Sequence, residues 1–265
     1  KKFKSLSDKF NDDTAKEFVS NFLDGKVIIV KKAFPEKFVR EIKSKVKKYW
    51  IENPETFHEM REDCPDFHRI ITPEKAKNYA VGAVRHTTYF FPWNNDPCKF
   101  NERIYERWRY SKYISGLNFR EFEKNTPKNG SIDRIQIVCY PPRFGGVETH
   151  VDTTSNSLLA ISCYLSSKKN KNFSTGGFYC LGDNNKNIDI EKYISLGDMS
   201  LFCPTIEHGV FRIDKDHPKK KYNWNSGIGR WWMGLFTNDS NMKKKRKTSK
   251  SLEKYHSERV SKLKV

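Results

Sequence analysis

His150-Val151-Asp152 sets an imidazole and a carboxylate two residues apart. In an extended strand, side chains at i and i+2 leave the same face, so both can reach one metal ion. The spacing alone carries little weight: with 7 His and 15 Asp in 265 residues, about 0.4 His-x-Asp triplets arise by chance. His256-Ser257-Glu258 is a near-match outside any strand pattern and reads as accidental. His208 adds the third ligand type, following a Gly-Asp turn and the strand Met199–Cys203. Two His and one carboxylate can hold one face of Fe(II), leaving positions open for a co-substrate and oxygen. A structural zinc site calls for four closed ligands, usually including Cys, and no Cys stands beside these His at that spacing. Arg230 is the fourth piece, opening the strand Arg230–Phe236 in which Arg230, Trp232, Gly234 and Phe236 share a face. A guanidinium turned inward is costly unless it meets an anion, and its fork fits a carboxylate in bidentate geometry. Each residue also has an ordinary role to weigh: His150 at a strand end, His208 capping a turn, Arg230 in a surface ion pair with Asp198 or Glu207. Accepting all of these at once makes the ordered spacing a coincidence.

The elements that must position these residues change in texture along the chain. Residues 14–23 predict a helix with Ala15, Phe18, Val19 and Phe22 on one face, stopped by Asp24-Gly25. Lys26–Lys32 reads as a short buried strand. Pro35 opens a second helix running to about Trp50, with Phe38, Ile42, Val46 and Tyr49 along one side. Residues 51–130 are mixed, with at least one helix near 100–115. From Ile132 onward, short strands alternate with turns: Arg134–Tyr140, Glu148–Asp152, Leu158–Leu165, Gly177–Leu181, Met199–Cys203, Gly209–Ile213 and Gly229–Thr237. Such strands without intervening helices predict a sandwich or jelly roll. Asp214–Ser226 is polar and reads as a loop between the last two strands.

The runs QIVCYPPRFGGVETHVD, LLAISCYLS, GGFYCLG, LGDMSLFCPTIEHGV and GIGRWWMGLF, in that order, resemble the core of the iron(II)/2-oxoglutarate oxygenases. The layout is most similar to the prolyl-hydroxylase-like branch, and the resemblance covers about 105 residues, from Ile135 to Thr237. It implies a mainly β chain with a helical N-terminal part and a double-stranded β-helix (jelly-roll, cupin-like) core. It implies one oxygenase domain over residues 1–240, with residues 1–130 helical and mixed, 131–240 the jelly roll, and 241–265 a basic tail. It also implies His150, Asp152 and His208 as iron ligands, Arg230 as the 2-oxoglutarate anchor, and Tyr140 and Gln136 lining the co-substrate pocket. The cofactors implied are Fe(II), 2-oxoglutarate and molecular oxygen, with succinate and carbon dioxide as co-products. Halogenating members lack the carboxylate that Asp152 provides, so hydroxylation or a related oxidation is the implied outcome. One departure is the 22-residue gap between His208 and Arg230, longer than the family's usual spacing. Asp214–Ser226 accounts for it as a hairpin insertion, and Arg212 is the competing anchor.

Composition bounds what else the chain can do. The formal net charge is +18, with 36% hydrophobic and 14% aromatic residues, enough to fill a core. Residues 241–265 hold ten Lys and Arg against two Glu, a net of +8, leaving +10 for the rest. The run Lys243–Lys247 reads as a solvated tail before it reads as a nuclear address or polyanion contact, so a nucleic-acid substrate is not expected. No stretch reaches the roughly 18–20 apolar residues of a membrane span. The six Cys show no framework spacing and read as reduced thiols in a cytoplasmic protein. Substrate determinants are expected in residues 51–130 and the loops, where Arg85-His86-Thr87-Thr88, Trp93 and Arg107/Arg109 combine basic and aromatic groups, with Arg143 and Trp232 in the core. That set suits a polar or anionic small molecule such as a sugar or amino-acid derivative, or a protein side chain of prolyl type. A packed helical cap with surface Arg is the plainer reading of the same residues, and Trp231 and Trp232 read first as core. A reading from another class is a non-catalytic jelly-roll module that only binds ligand.

Overall fold

In the computed structural model, which describes residues 3–4, 9–216, 218 and 222–252, the N-terminal part supplies helices α1 (Asp12–Leu23) and α2 (Glu36–Glu52) with strand β1 (Ile28–Val30) between them. Asn11 caps α1, its side chain accepting from the Thr14 backbone N–H at 2.9 Å. Phe18 and Phe22 of α1 are buried, whereas Val19, expected on that face, is 37% exposed. The buried stripe of this helix is narrow, and a residue one position on turns about 100° away from it. Pro35, with φ −61°, leads into α2 as the sequence predicts, and Phe38, Val39, Ile42, Val46 and Trp50 are buried along it.

Residues 51–130 hold more regular structure than their sequence suggests: β2 (Phe67–Ile71), α3 (Pro73–Ala76), β3 (Ala83–Phe90) and α4 (Asn101–Ile114). The two strands are hard to see because both faces of β3 are largely polar. His86 and Thr88 turn toward α2, where His86 stacks on Trp50 at 3.7 Å and Thr88 Oγ1 accepts from Trp50 Nε1 at 2.7 Å. Arg85 and Tyr89 turn the other way into a cavity. Eight further strands follow: β4 (Ser131–Tyr140), β5 (Gly146–Val151), β6 (Ala160–Tyr164), β7 (Gly177–Leu181), β8 (Asn187–Asp189), β9 (Met199–Phe202), β10 (His208–Phe211) and β11 (Arg230–Asp239). A short β12 (Lys250–Ser251) lies in the segment expected to be a free tail.

All strand pairs are antiparallel and form two facing layers. The larger runs β1-β9-β6-β11-β4-β3-β2 and the smaller β5-β10-β7-β8. β3 joins them: residues 86–90 pair with β4, while Ala83 and Val84 pair with Val147 and Gly146 of β5. β12 continues along β5, Ser251 opposite His150. This is the double-stranded β-helix that the resemblance implies, with β4 to β11 as its eight core strands. Asp214–Ser226 carries no strand among its described residues; Tyr222 and Trp224 pack on Phe144.

Alternation on the long strands divides their residues between two environments. Ile135, Ile137 and Cys139 of β4 and Trp231, Met233 and Leu235 of β11 join the core shared with α1, α2 and α4. Trp231 stacks on Trp50 at 5.0 Å and is fully buried. Arg134, Gln136, Tyr140, Arg230 and Trp232, the intervening residues, line the cavity between the layers. A buried ion pair fastens α4 to β4: Lys112 Nζ lies 2.5 Å from Asp133 Oδ2, and Tyr105 and Thr237 hydroxyls donate to the same carboxylate at 3.1 and 2.9 Å. Burial pushes the lysine down and the aspartate up, so each ion depends on the other. Lys112→Met is therefore expected to lower stability by about 3–5 kcal/mol. Adding Asp133→Leu should recover most of that loss. Urea midpoints check it, and an unchanged midpoint in the single variant would refute the coupling.

Candidate metal centre and cavity

His150 is the last residue but one of β5, Asp152 follows the strand, and His208 opens β10 directly opposite His150 in the ladder. The cross-strand register therefore brings together residues 58 positions apart in the chain. One donor atom from each lies within 4.8 Å of the others. His150 Nε2 is 3.7 Å from Asp152 Oδ1, and His208 Nε2 is 3.6 Å from Asp152 Oδ2. Each imidazole presents its Nδ1 to a backbone carbonyl, His150 to Glu148 at 2.9 Å and His208 to Ile206 at 2.8 Å. A carbonyl can only accept, so Nδ1 carries the proton and Nε2 keeps its lone pair for a ligand. Burial, and then the neighbouring His208, push His150 down to about 4, keeping it neutral near pH 7. The donor set and its outer hydrogen bonds fit a divalent cation held on one face.

The segment after β11 completes the site. Ser249 Oγ donates to Asp152 Oδ1 at 2.8 Å, leaving the carboxylate fixed and its other oxygen on the His208 side. Asn241 and residues 246–249 line the same cavity, so part of the basic run lies against the barrel. Sequence reasoning missed this contact because a Ser in a Lys-rich stretch carries no periodicity.

The cavity has a volume of about 500 Å³ and runs from the His–Asp–His set to both ends of β4. At one end Arg230 pairs across the ladder with Tyr140, and its guanidinium lies 5.6 Å from the Tyr140 ring. Gly229, at φ +128°, allows this entry: a Cβ there would come within 2.1 Å of the Tyr140 carbonyl oxygen. Arg230 is buried, as the inward reading requires, but it already has a carboxylate. Its Nε donates to Glu191 Oε2 at 3.0 Å and its Nη2 is 2.9 Å from the same oxygen. The surface pair with Asp198 or Glu207 does not form; Asp198 is held by Lys31 instead. Arg230 Nη1 remains a buried donor without a partner. Arg212, the competing anchor, is exposed and off the cavity. Gln136 lines the cavity and accepts from Arg134 Nη2 at 3.0 Å.

Of the residues expected around a substrate, Arg85 and Trp232 line the cavity. Trp93 does not: it stacks on Phe91 at 4.6 Å and donates to the Cys64 carbonyl, because its apolar ring completes a separate small core. Arg143 does not either; its backbone N–H donates to Ile213 at 2.6 Å and its side chain covers Phe144. Arg107 and Arg109 are likewise engaged outside, with Ala33, Glu102 and Glu123. Arg69, Tyr89, Arg134 and Arg246 line the cavity and were not anticipated. Arg134 was within reach, two residues before Gln136 on the same strand face.

No family model matches the chain, and no curated protein does. Solved structures do. A prolyl hydroxylase from Trichoplax adhaerens, in complex with a hypoxia inducible factor peptide fragment, is 13% identical, with 90% of this chain and 94% of that one covered at a TM-score of 0.56. A full-length Neurospora crassa protein in complex with alpha-KG and thymine is 12% identical, with 99% and 96% covered at 0.52. A 2OG-Fe(II) oxygenase family protein from Caulobacter crescentus is 13% identical, with 99% and 98% covered at 0.50. Over nearly its whole length, the chain has the fold of the 2OG-Fe(II) oxygenases.

Proposed function

We propose that the chain is a non-haem Fe(II) and 2-oxoglutarate-dependent dioxygenase that hydroxylates an unactivated C–H bond of a polar or anionic small molecule. The observation that carries this reading is the His150, Asp152 and His208 donor set, with both Nδ1 atoms tied to carbonyls, facing a cavity that also contains Arg230 and Tyr140. In it His150, Asp152 and His208 hold the iron, which supplies open positions for the keto acid and oxygen when bound. Arg230 Nη1 and Tyr140 meet the far carboxylate of 2-oxoglutarate, with Glu191 fixing the guanidinium from behind. Gln136 borders that pocket. Ser249 holds the Asp152 carboxylate in its ligating orientation.

Oxygen-dependent succinate formation from 2-oxoglutarate with added Fe(II) tests the reading. The wild type is expected to turn over even without substrate, slowly. Asp152→Ala and His208→Ala should abolish turnover while keeping the thermal midpoint of the metal-free protein near wild type. Turnover surviving in either variant would sink the assignment; absence of Fe(II) and 2-oxoglutarate binding in the wild type would favour a ligand-binding module. No helix among the described residues is long and apolar enough to cross a membrane.

Ser249→Ala removes only the outer hydrogen bond to Asp152. Fe(II) affinity is expected to fall roughly 10-fold or more, measured by competition with a chelator under anaerobic conditions. An unchanged affinity would show that Asp152 needs no support from the segment after β11. Arg230→Gln should weaken 2-oxoglutarate binding about 10-fold or more, read by calorimetry on the metal-loaded protein.

A further inference from the structure

Five arginines line the cavity, and they are not treated alike. Arg230 has Glu191. Arg69, Arg85, Arg134 and Arg246 have no carboxylate within ion-pair distance among the described residues, although Arg61, Arg103 and Arg109 elsewhere each have a Glu. Nε of Arg69, of Arg85 and of Arg134 is buried with no acceptor. Three of these guanidinium groups are nevertheless held in place by neutral groups. Arg134 lies between the rings of Tyr89 and Phe236 at 5.2 and 5.1 Å and donates to Gln136. Arg69 lies 4.5 Å over Phe57 and donates to the Tyr79 hydroxyl, and Arg246 donates to Asn241 at 3.3 Å.

Arg69, Arg85 and Arg134 are half-buried and Arg246 is exposed. Cations gathered in one cavity repel, and their buried unpaired donors cost free energy unless an anion joins them. Their mutual influence is visible: burial first, then Arg246 and Arg85, bring Arg134 down to about 10. Burial alone would raise the Tyr89 hydroxyl, yet Arg85, Arg134 and Arg69 bring it below its ordinary value. Arg134 also stands apart from Arg230, while Arg85 enters the same cavity from β3, next to the His86–Cys139 pair. Arg134 and Tyr140 are six residues apart on β4, about 20 Å along an extended strand. One small carboxylate cannot serve both Arg230 and Arg134. Arg85 and Arg134 line the same cavity as His150 and Asp152, so the metal set faces the cluster.

We propose that Arg85 and Arg134, flanked by Arg69 and Arg246, form an oxyanion site that holds a phosphoryl or carboxylate group of the small-molecule substrate. The substrate part of this inference rests on the oxygenase reading; the anion site itself does not. The cluster fixes the charged end of the molecule, and the remainder extends over Tyr89 and Trp232 toward His150, Asp152 and His208. Guanidinium forks on two strands match the two oxygens of one oxyanion, which explains arginine rather than lysine at these positions.

The full chain loaded with Zn(II) and saturated with 2-oxoglutarate, so that the Arg230 end is filled, is titrated calorimetrically with inorganic phosphate and with malonate at constant ionic strength. Binding of at least one anion is expected, and the one that binds tells a phosphorylated substrate from a carboxylate one. Arg85→Gln and Arg134→Gln should each weaken it about 10-fold or more, and Arg85→Lys less, with 2-oxoglutarate kept saturating for each variant. Should Arg134→Gln not fold, Arg85→Gln and Arg69→Gln decide. The proposal is overturned if neither anion binds the wild type, or if the Gln variants bind as well as it does. Failure of 2-oxoglutarate to bind the wild type would instead strike the oxygenase reading, and phosphate titration without it would still decide the anion site.

Discussion

The two-residue alternation of β4 and β11 is the constraint on which the molecule depends. These strands pair with each other over ten residues, from Ser131 with Asp239 to Tyr140 with Arg230. Their odd-numbered apolar residues supply the face on which the helices pack, and the even-numbered ones supply the polar wall of the cavity. A slip of one residue would put Trp231 into the cavity and Arg230 under α2. The apolar packing that stabilises the helical layer is thus what keeps the cavity-lining side chains facing inward. Lys112 and Asp133 fasten the same strand to α4 by a buried charge pair.

Within the barrel, charge is distributed by partner. Arg230 is neutralised by Glu191, which also accepts from the Phe178 backbone at 2.8 Å, so this end of the cavity is rigid before any ligand enters. Rigid, pre-oriented donors lose less entropy when a carboxylate binds. Arg134 and Arg246 are instead held by aromatic rings and neutral amides, which fix geometry without an ion-pair contact among the described residues. The same cavity holds the His–Asp–His set, with His150 kept neutral by burial and both imidazoles oriented by carbonyls. The cavity therefore holds one guanidinium neutralised by a carboxylate, four without such a partner among the described residues, and one candidate metal position.

Much of the fold was legible, and for identifiable reasons. From residue 131 onward the strands alternate and are bounded by Gly- and Asn-rich turns, so most of their limits fall within a few residues of those expected. β2 and β3 were not legible, because His86, Thr88, Arg85 and Tyr89 make both faces polar and erase the alternation. β8 and β12 are too short to show a period. Trp93 and Arg143 looked like substrate residues by type, and both are used for local packing. Residue type alone does not distinguish a ring that fills a core from one that faces a ligand.

The sequence by itself determined the helix–strand–helix start, the strand-rich second half, and the ordered set His150, Asp152, His208 and Arg230, because spacing along one strand decides which face a side chain takes. Only the tertiary structure decided that His150 and His208 stand opposite each other, that Glu191 meets Arg230, that Ser249 reaches Asp152, and that four further arginines share the cavity. The contacts of Glu191 with Arg230 and of Ser249 with Asp152 join residues 39 and 97 positions apart. Strand register and layer packing set them, and neither leaves a local pattern in the chain.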